Sequence, residues 1–282
     1  MYTSELLAYP DVLRAINTQG TDTGMVWVPP GIKVWPHPSL ADVPTTPYVC
    51  RDGILLQSYE IHNAAADGTD VGIGFRLGPS HWRIGHLTAD YATYTDLTSD
   101  AQARSAITIQ TTGANQSGFV MLFDRRVHWV SLTITTAETN AGGSTVADHA
   151  VQYSNAAGTG WTVTTAGLTD NFTTTNTVWA AGLTQFVWKP PAIWGKTKGL
   201  GGLPDGWYAL GFTSAHREAS DVAAIATGVE CGTLRIYENA DQYTVMAAEK
   251  AEMAEFAADG IVAYFSAANA ANAVQFTCRP IG

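Results

Sequence analysis

Charge is the scarcest ingredient of this chain. Only 14% of its 282 residues are charged, against roughly 25% in ordinary soluble domains. A surface so poor in charge tolerates neighbours at short range, which suits a subunit buried in an assembly. An all-β protein with a Thr/Asn surface outside any assembly has the same composition. Positive charge is scarcer still: 15 Lys and Arg stand against 25 Asp and Glu, a formal net charge of −10. The close basic pairs are Arg125-Arg126 and Lys196/Lys198. Nucleic acid is repelled by such a balance, so no direct nucleic-acid contact is expected. Cysteine is nearly missing. Cys50, Cys231 and Cys278 are odd in number and far apart, which excludes a disulfide framework or a CxxC metal knuckle and reads as free thiols. No apolar run reaches the ~18 residues of a membrane helix. Met1-Tyr2-Thr3-Ser4-Glu5 shows no basic segment leading into an apolar one, so the expectation is folding in the cytoplasm without a secretory leader. The G-x-S-x-G and G-x-x-x-x-G-K-[ST] patterns and the EF-hand loop are also missing. The expectation is a protein that is not an enzyme and takes no cofactor or metal.

Tryptophan is what the chain has in quantity. Five of nine fall between 161 and 208: Trp161, Trp179, Trp188, Trp194 and Trp207. Their spacing is too irregular for a helix, and Thr, Asn and Gly punctuate it. Large rings so placed suit a β-sandwich whose inner faces they hold apart. Half of the twelve prolines lie between 29 and 47, too dense for a central strand or a helix. Residues 1–50 therefore read as an extended, Pro-rich N-terminal arm with Trp27, Pro29, Pro30 and Trp35 as its anchors. The arm wraps its own domain or docks on a neighbouring subunit.

From residue 51 onward, strand patterns dominate. Ile54–His62 and Val71–Leu77 read as a hairpin. Ile107 and Ile109 alternate with polar residues, as do Val130, Leu132 and Ile134, the period of strands with one wet face. Gly118–Phe123 is apolar throughout and reads as a strand buried on both faces. Further strands are expected at Leu183–Trp188, Trp207–Thr213, Leu234–Glu238, Tyr243–Met246, Ile261–Phe265 and Val274–Cys278. Short helices are expected at Ala219–Thr227 and Ala247–Ala258, on alanine content. The fold class is all-β, an antiparallel β-sandwich or jelly roll with an extended arm and one or two short helices. The organisation is the arm 1–50, a sandwich 51–238, and a C-terminal helix and β-hairpin 239–282.

Three clusters merit weighing as sites. His81 and His86 are five apart, which on a strand puts them on opposite faces, out of reach of one metal. His216, Glu218 and Asp221 could serve acid–base work, or form an ion-paired corner around Arg217. Trp161, Trp179, Trp194 and Trp207 could build a platform for sugar rings, or be sandwich core.

Several blocks together resemble a β-sandwich module of tailed-bacteriophage virion structural proteins. They are Tyr94-Thr95-Asp96-Leu97-Thr98, Gly118–Phe123, Val127–Thr136, and Val151-Gln152-Tyr153-Ser154 through Gly160-Trp161. Thr169-Asp170-Asn171-Phe172, Val187-Trp188-Lys189-Pro190-Pro191, Trp194-x-Lys196 and Gly206-Trp207-Tyr208 follow. The resemblance covers residues 90–214 and departs at Trp207-Tyr208, where related sequences more often have Tyr before Trp. It rests on core and turn residues and so bears on fold before function. It implies a virion structural component: a capsid decoration (cement) protein stabilising the head shell or, alternatively, a tail or baseplate protein or a carbohydrate-binding module touching the host surface. The implied partners are the major capsid protein or other virion subunits, with a homo-oligomer, a trimer by preference.

Overall fold

The computed structural model describes residues 16–17, 24–28, 54–62, 71–88, 92–109, 117–137, 149–163, 169–170, 181–214, 225–237, 242–246, 261–265 and 273–280. These residues form an all-β protein. In chain order the strands are β1 (Ile16–Asn17), β2 (Gly24–Val28), β3 (Ile54–His62), β4 (Val71–Arg76), β5 (Trp82–Thr88) and β6 (Thr93–Asp96). Next come α1 (Thr98–Gln102), β7 (Ile107–Thr108), β8 (Ser117–Phe123), β9 (Trp129–Thr136), β10 (His149–Ser154) and β11 (Trp161–Val163). The last are β12 (Thr169–Asp170), β13 (Gly182–Val187), β14 (Tyr208–Ser214), β15 (Ile225–Tyr237), β16 (Gln242–Met246), β17 (Ile261–Phe265) and β18 (Ala273–Pro280).

The chain forms two compact units, Met1–Gly78 with Gly232–Gly282, and Pro79–Cys231. In the first, β3 is flanked on one side by β16 and on the other by β18, which also pairs with β1. A second ladder sets β4 between Gly232–Tyr237 of β15 and β17, and β2 lies on the far side of β17. The expected hairpin of Ile54–His62 with Val71–Leu77 is therefore not formed. Both edges of β3 and both edges of β4 are taken by strands distant in sequence, so neither has an edge left for the other.

The Pro79–Cys231 unit is a sandwich of antiparallel sheets. One has the order β11-β10-β14-β8-β5-β6, and the other runs β12-β13-β9 and on to the first half of β15, which also pairs with β7. On the six-stranded sheet, Phe119 of β8 stacks on its cross-strand partner Phe212 of β14 with centroids 4.5 Å apart. Phe186 of β13 meets Phe212 at 4.6 Å. Such ring contacts stabilise beyond the area they bury. As expected, Phe119 to Phe123 are all buried, because β8 lies between β5 and β14 and is apolar at every position from Gly118 on. The outer face of the same sheet holds a second cluster: Leu87, Val120, Leu122 and Ala209, roofed by Leu200 and Leu203, with Tyr94, Trp161 and Trp207 packed against it.

Two further expectations need correction. β9 is buried on both faces from Trp129 to Leu132, and only Thr135 and Thr136 are exposed. The helix expected at Ala219–Thr227 is contradicted at 225–227, where the chain is the start of β15; pairing with β7 and β9 overrides the helix preference of Ala226, and the rest of that span lies outside the described residues. Among the described residues there is one α-helix, α1, of five residues, at a place where none was expected. Ala247–Ala258 lies outside the described residues.

Candidate functional site

The loops at one end of the six-stranded sheet form a brace around Trp194. β10 ends in Ser154, which is fully buried. Its hydroxyl donates to the Gly195 carbonyl and accepts from the Trp194 indole N–H at 3.2 Å and the Ala209 N–H at 3.2 Å. The one proton and both lone pairs of that hydroxyl are thereby engaged. The indole N–H is shared with the Ala209 carbonyl at 3.1 Å. Beyond Ser154 the chain reverses, with Asn155 N–H bonded to the Gly160 carbonyl at 2.8 Å and Gly158 N–H to the Asn155 carbonyl at 2.9 Å. The Gly158 carbonyl then accepts from Lys198 N–H at 2.8 Å. Thr197 ties the loop's return: its N–H donates to the Trp207 carbonyl at 2.7 Å and its hydroxyl to the Pro204 carbonyl at 2.6 Å. From the other side, Arg126 donates to the Ala192 carbonyl at 2.8 Å and the Trp194 carbonyl at 3.0 Å, while its guanidinium lies 5.6 Å from the centre of the Tyr208 ring.

This brace decides where the tryptophans go. Trp188 is 4% exposed and Trp194 1% exposed, so Trp194 has no free face for a sugar. The Trp161 ring lies against Gly211, where an added Cβ would come within 3.1 Å of it. Trp179 lies outside the described residues. Trp194 is therefore unavailable to the expected platform of Trp161, Trp179, Trp194 and Trp207. Trp207 lines an open cleft of about 800 Å³, together with Ser80, Arg83, Asp96, Ser99 and Gln102. That volume is within the range of small-molecule sites.

In the cleft the Arg83 guanidinium lies over the Trp207 ring, 4.8 Å from its centre, a cation–π arrangement. β5, β8 and β14 place it there, since Arg83 pairs with Leu122 and Leu122 with Ala209 along one row. Asp96 closes β6, and its Oδ1 accepts the Thr98 N–H at 2.8 Å. The Thr98 hydroxyl accepts from Ile84 N–H at 3.1 Å. Gln102 is fixed by its side-chain amide on the Pro79 carbonyl. Beside them the Tyr94 hydroxyl donates to the Ile84 carbonyl at 3.3 Å. Burial, and then the Asp96 charge, push its phenol up, with Thr98 and Arg83 opposing.

The histidines stand apart from one another. His81, in the turn Pro79–His81, donates from Nδ1 to Asp124 Oδ2 at 2.6 Å. Arg125 holds the other Asp124 oxygen at 2.9 Å. Burial raises the Asp124 carboxyl, but the hydrogen bonds and charges of Arg125 and His81 together outweigh it and hold the carboxyl below its ordinary value. His86 bonds through Nε2 to the Thr108 carbonyl. The sequence concealed the Asp124 partner, which comes from the end of β8. His216, Glu218 and Asp221 lie outside the described residues, as do Pro29, Pro30 and Trp35. Trp27 lies in β2, opposite Val262.

His128 supplies a pH dependence. Its ring Nδ1 is buried without a hydrogen-bond partner among the described residues, and burial pushes its pKa down to about 4. The unfolded chain titrates near 6.5. Between about pH 6.5 and 4 the unfolded state binds a proton that the folded state refuses, so stability falls with pH, by roughly 3 kcal/mol in all, and levels off below. His86 is also pushed down by burial, against its backbone hydrogen bond, and adds in the same sense. Urea unfolding between pH 7 and pH 4 should show His128→Phe flattening this fall without abolishing it. An unchanged slope in the variant would refute the assignment.

No protein-family model, curated protein or solved structure matches the chain.

Proposed function

We propose that this chain is a structural, non-enzymatic subunit of a tailed-phage particle, a decoration (cement) protein on the head shell that works with the major capsid protein. The brace around Trp194 carries the reading. Loops that would be free to shape a site are instead tied to the sheet and to one another by hydrogen bonds, and Trp188 and Trp194 are core. A two-layer body with pinned loops bears load without rearranging. The low charge content suits close contact with copies and neighbours, and the resemblance of residues 90–214 to virion modules supports the same assignment.

Density-gradient banding of particles from cells that make the chain tests it. The chain should band with DNA-filled particles and stay with them through washes at about 1 M salt, where surface ion pairs are screened. Density on the head shell in images of those particles places it as decoration, and density on the tail as a tail or baseplate part. Recovery only as free protein at the top of the gradient overturns the reading.

A further inference from the structure

The Arg83–Trp207 cleft is not needed by the assembly reading, and its chemistry points elsewhere. Among the described residues, the Arg83 guanidinium meets the Trp207 ring and no hydrogen-bond acceptor or carboxylate. Arginine is well suited to binding carboxylates, because its planar fork presents paired N–H donors. Lying over the indole face, the guanidinium makes no hydrogen bond among the described residues, so its N–H donors stay available. Asp96, which lines the same cleft, uses Oδ1 on the Thr98 N–H, and Oδ2 remains an acceptor. The hydroxyls of Ser80 and Ser99 line the same opening and are exposed. A receptor for a bare anion would not keep a carboxylate in its wall. A receptor for a neutral polyol would not hold an uncompensated guanidinium. One donor fork, one carboxylate acceptor and two hydroxyls match a ligand with a single carboxylate set among hydroxyl groups. The net charge of −10 disfavours a polyanion and leaves a sparsely charged one admissible.

We propose that this cleft binds a carboxylate-bearing saccharide, with Arg83 on the carboxylate, Asp96, Ser80 and Ser99 on ring hydroxyls, and the exposed part of the Trp207 indole against the sugar. Carboxylate recognition through Arg83 makes affinity depend on the acid group. Losing a charge-assisted pair in a partly screened site lowers affinity about tenfold or more.

The test uses the full chain and titration calorimetry. The probes are oligosaccharides carrying glucuronate, galacturonate or sialate, each beside its carboxyl-reduced counterpart, with hexaglutamate as a peptide control. At least one acidic sugar should bind, and its reduced counterpart should bind about tenfold more weakly or not at all. Arg83→Gln should lose about tenfold or more in affinity, Arg83→Lys less, and Asp96→Asn a few-fold, with far-UV circular dichroism unchanged. The comparison between acidic and reduced sugars uses unaltered protein, so it decides the matter even if a variant folds poorly. Four results overturn the proposal: no acidic sugar binds, the reduced forms bind equally well, well-folded Arg83→Gln binds as before, or hexaglutamate binds as tightly as the sugars. Each leaves the particle reading untouched, since gradient banding judges that reading separately.

Discussion

Trp194→Ala is expected to destabilise the Pro79–Cys231 unit by about 5 kcal/mol, the upper end of what large-to-small core changes cost. The indole is 1% exposed. It meets Tyr208 at 5.6 Å, Trp188 at 6.1 Å, Phe123 at 6.3 Å and Tyr153 at 6.4 Å between centroids. Four aromatic neighbours cannot all collapse into the vacated space, so a cavity term adds to the lost transfer energy. The indole N–H also serves two acceptors, the Ser154 hydroxyl and the Ala209 carbonyl. Trp194→Phe separates the two effects. It keeps most of the ring but removes the donor, and should cost about 1–3 kcal/mol, the penalty for buried acceptors left short of a partner. Urea unfolding followed by far-UV circular dichroism reads both without relying on the altered fluorophore. A loss below about 2 kcal/mol for Trp194→Ala would mean that the ring does not hold the sandwich together.

The same brace explains what was legible in the sequence. Tyr153-Ser154-Asn155, Gly158, Gly160-Trp161, Trp194-x-Lys196 and Gly206-Trp207-Tyr208 are widely spaced in the chain, and all of them fall in one hydrogen-bonded cluster. Their types follow from local demands: a hydroxyl able to serve three partners, glycines where backbones touch, and rings to fill the end of the sandwich. Residues chosen by such demands reveal a fold and say little about a ligand. Strand identity was legible for similar reasons, since alternation and continuous apolar runs are local signals. Sheet order was not. Ile54–His62 next to Val71–Leu77 looks like a hairpin because nothing local records that β16, β18, β15 and β17 occupy the edges. The helix expected at 219–227 failed at Ile225–Thr227 because alanine's preference is weak beside two ladders of backbone hydrogen bonds. The Arg83–Trp207 pair was hidden outright. Those residues meet only because β8 lies between β5 and β14, and the sequence around either one carries no trace of the other.

Gly158→Ala is the sharpest test of the brace, with an expected loss on the order of 4 kcal/mol from a single methyl group. Two costs combine. Gly158 has φ +74°, a left-handed conformation that costs an L-residue about 1–2 kcal/mol. A Cβ built there would also sit 1.9 Å from the Lys196 carbonyl oxygen. That oxygen is backbone and cannot rotate aside like the end of a long side chain, so the two loops must separate. Separation breaks the bond from Lys198 N–H to the Gly158 carbonyl and strains that from Gly195 N–H to the Ser154 carbonyl, at 2.8 Å and 3.3 Å. Each hydrogen bond lost adds about 1 kcal/mol. Gly199 gives the control. It too has positive φ, +65°, but nothing lies within 4 Å of its Cβ position, so Gly199→Ala should show the conformational cost alone, about 1–2 kcal/mol. The difference between the two variants in urea unfolding measures the loop contact itself. Equal losses would mean that the 155–160 turn and the 194–198 segment do not brace each other.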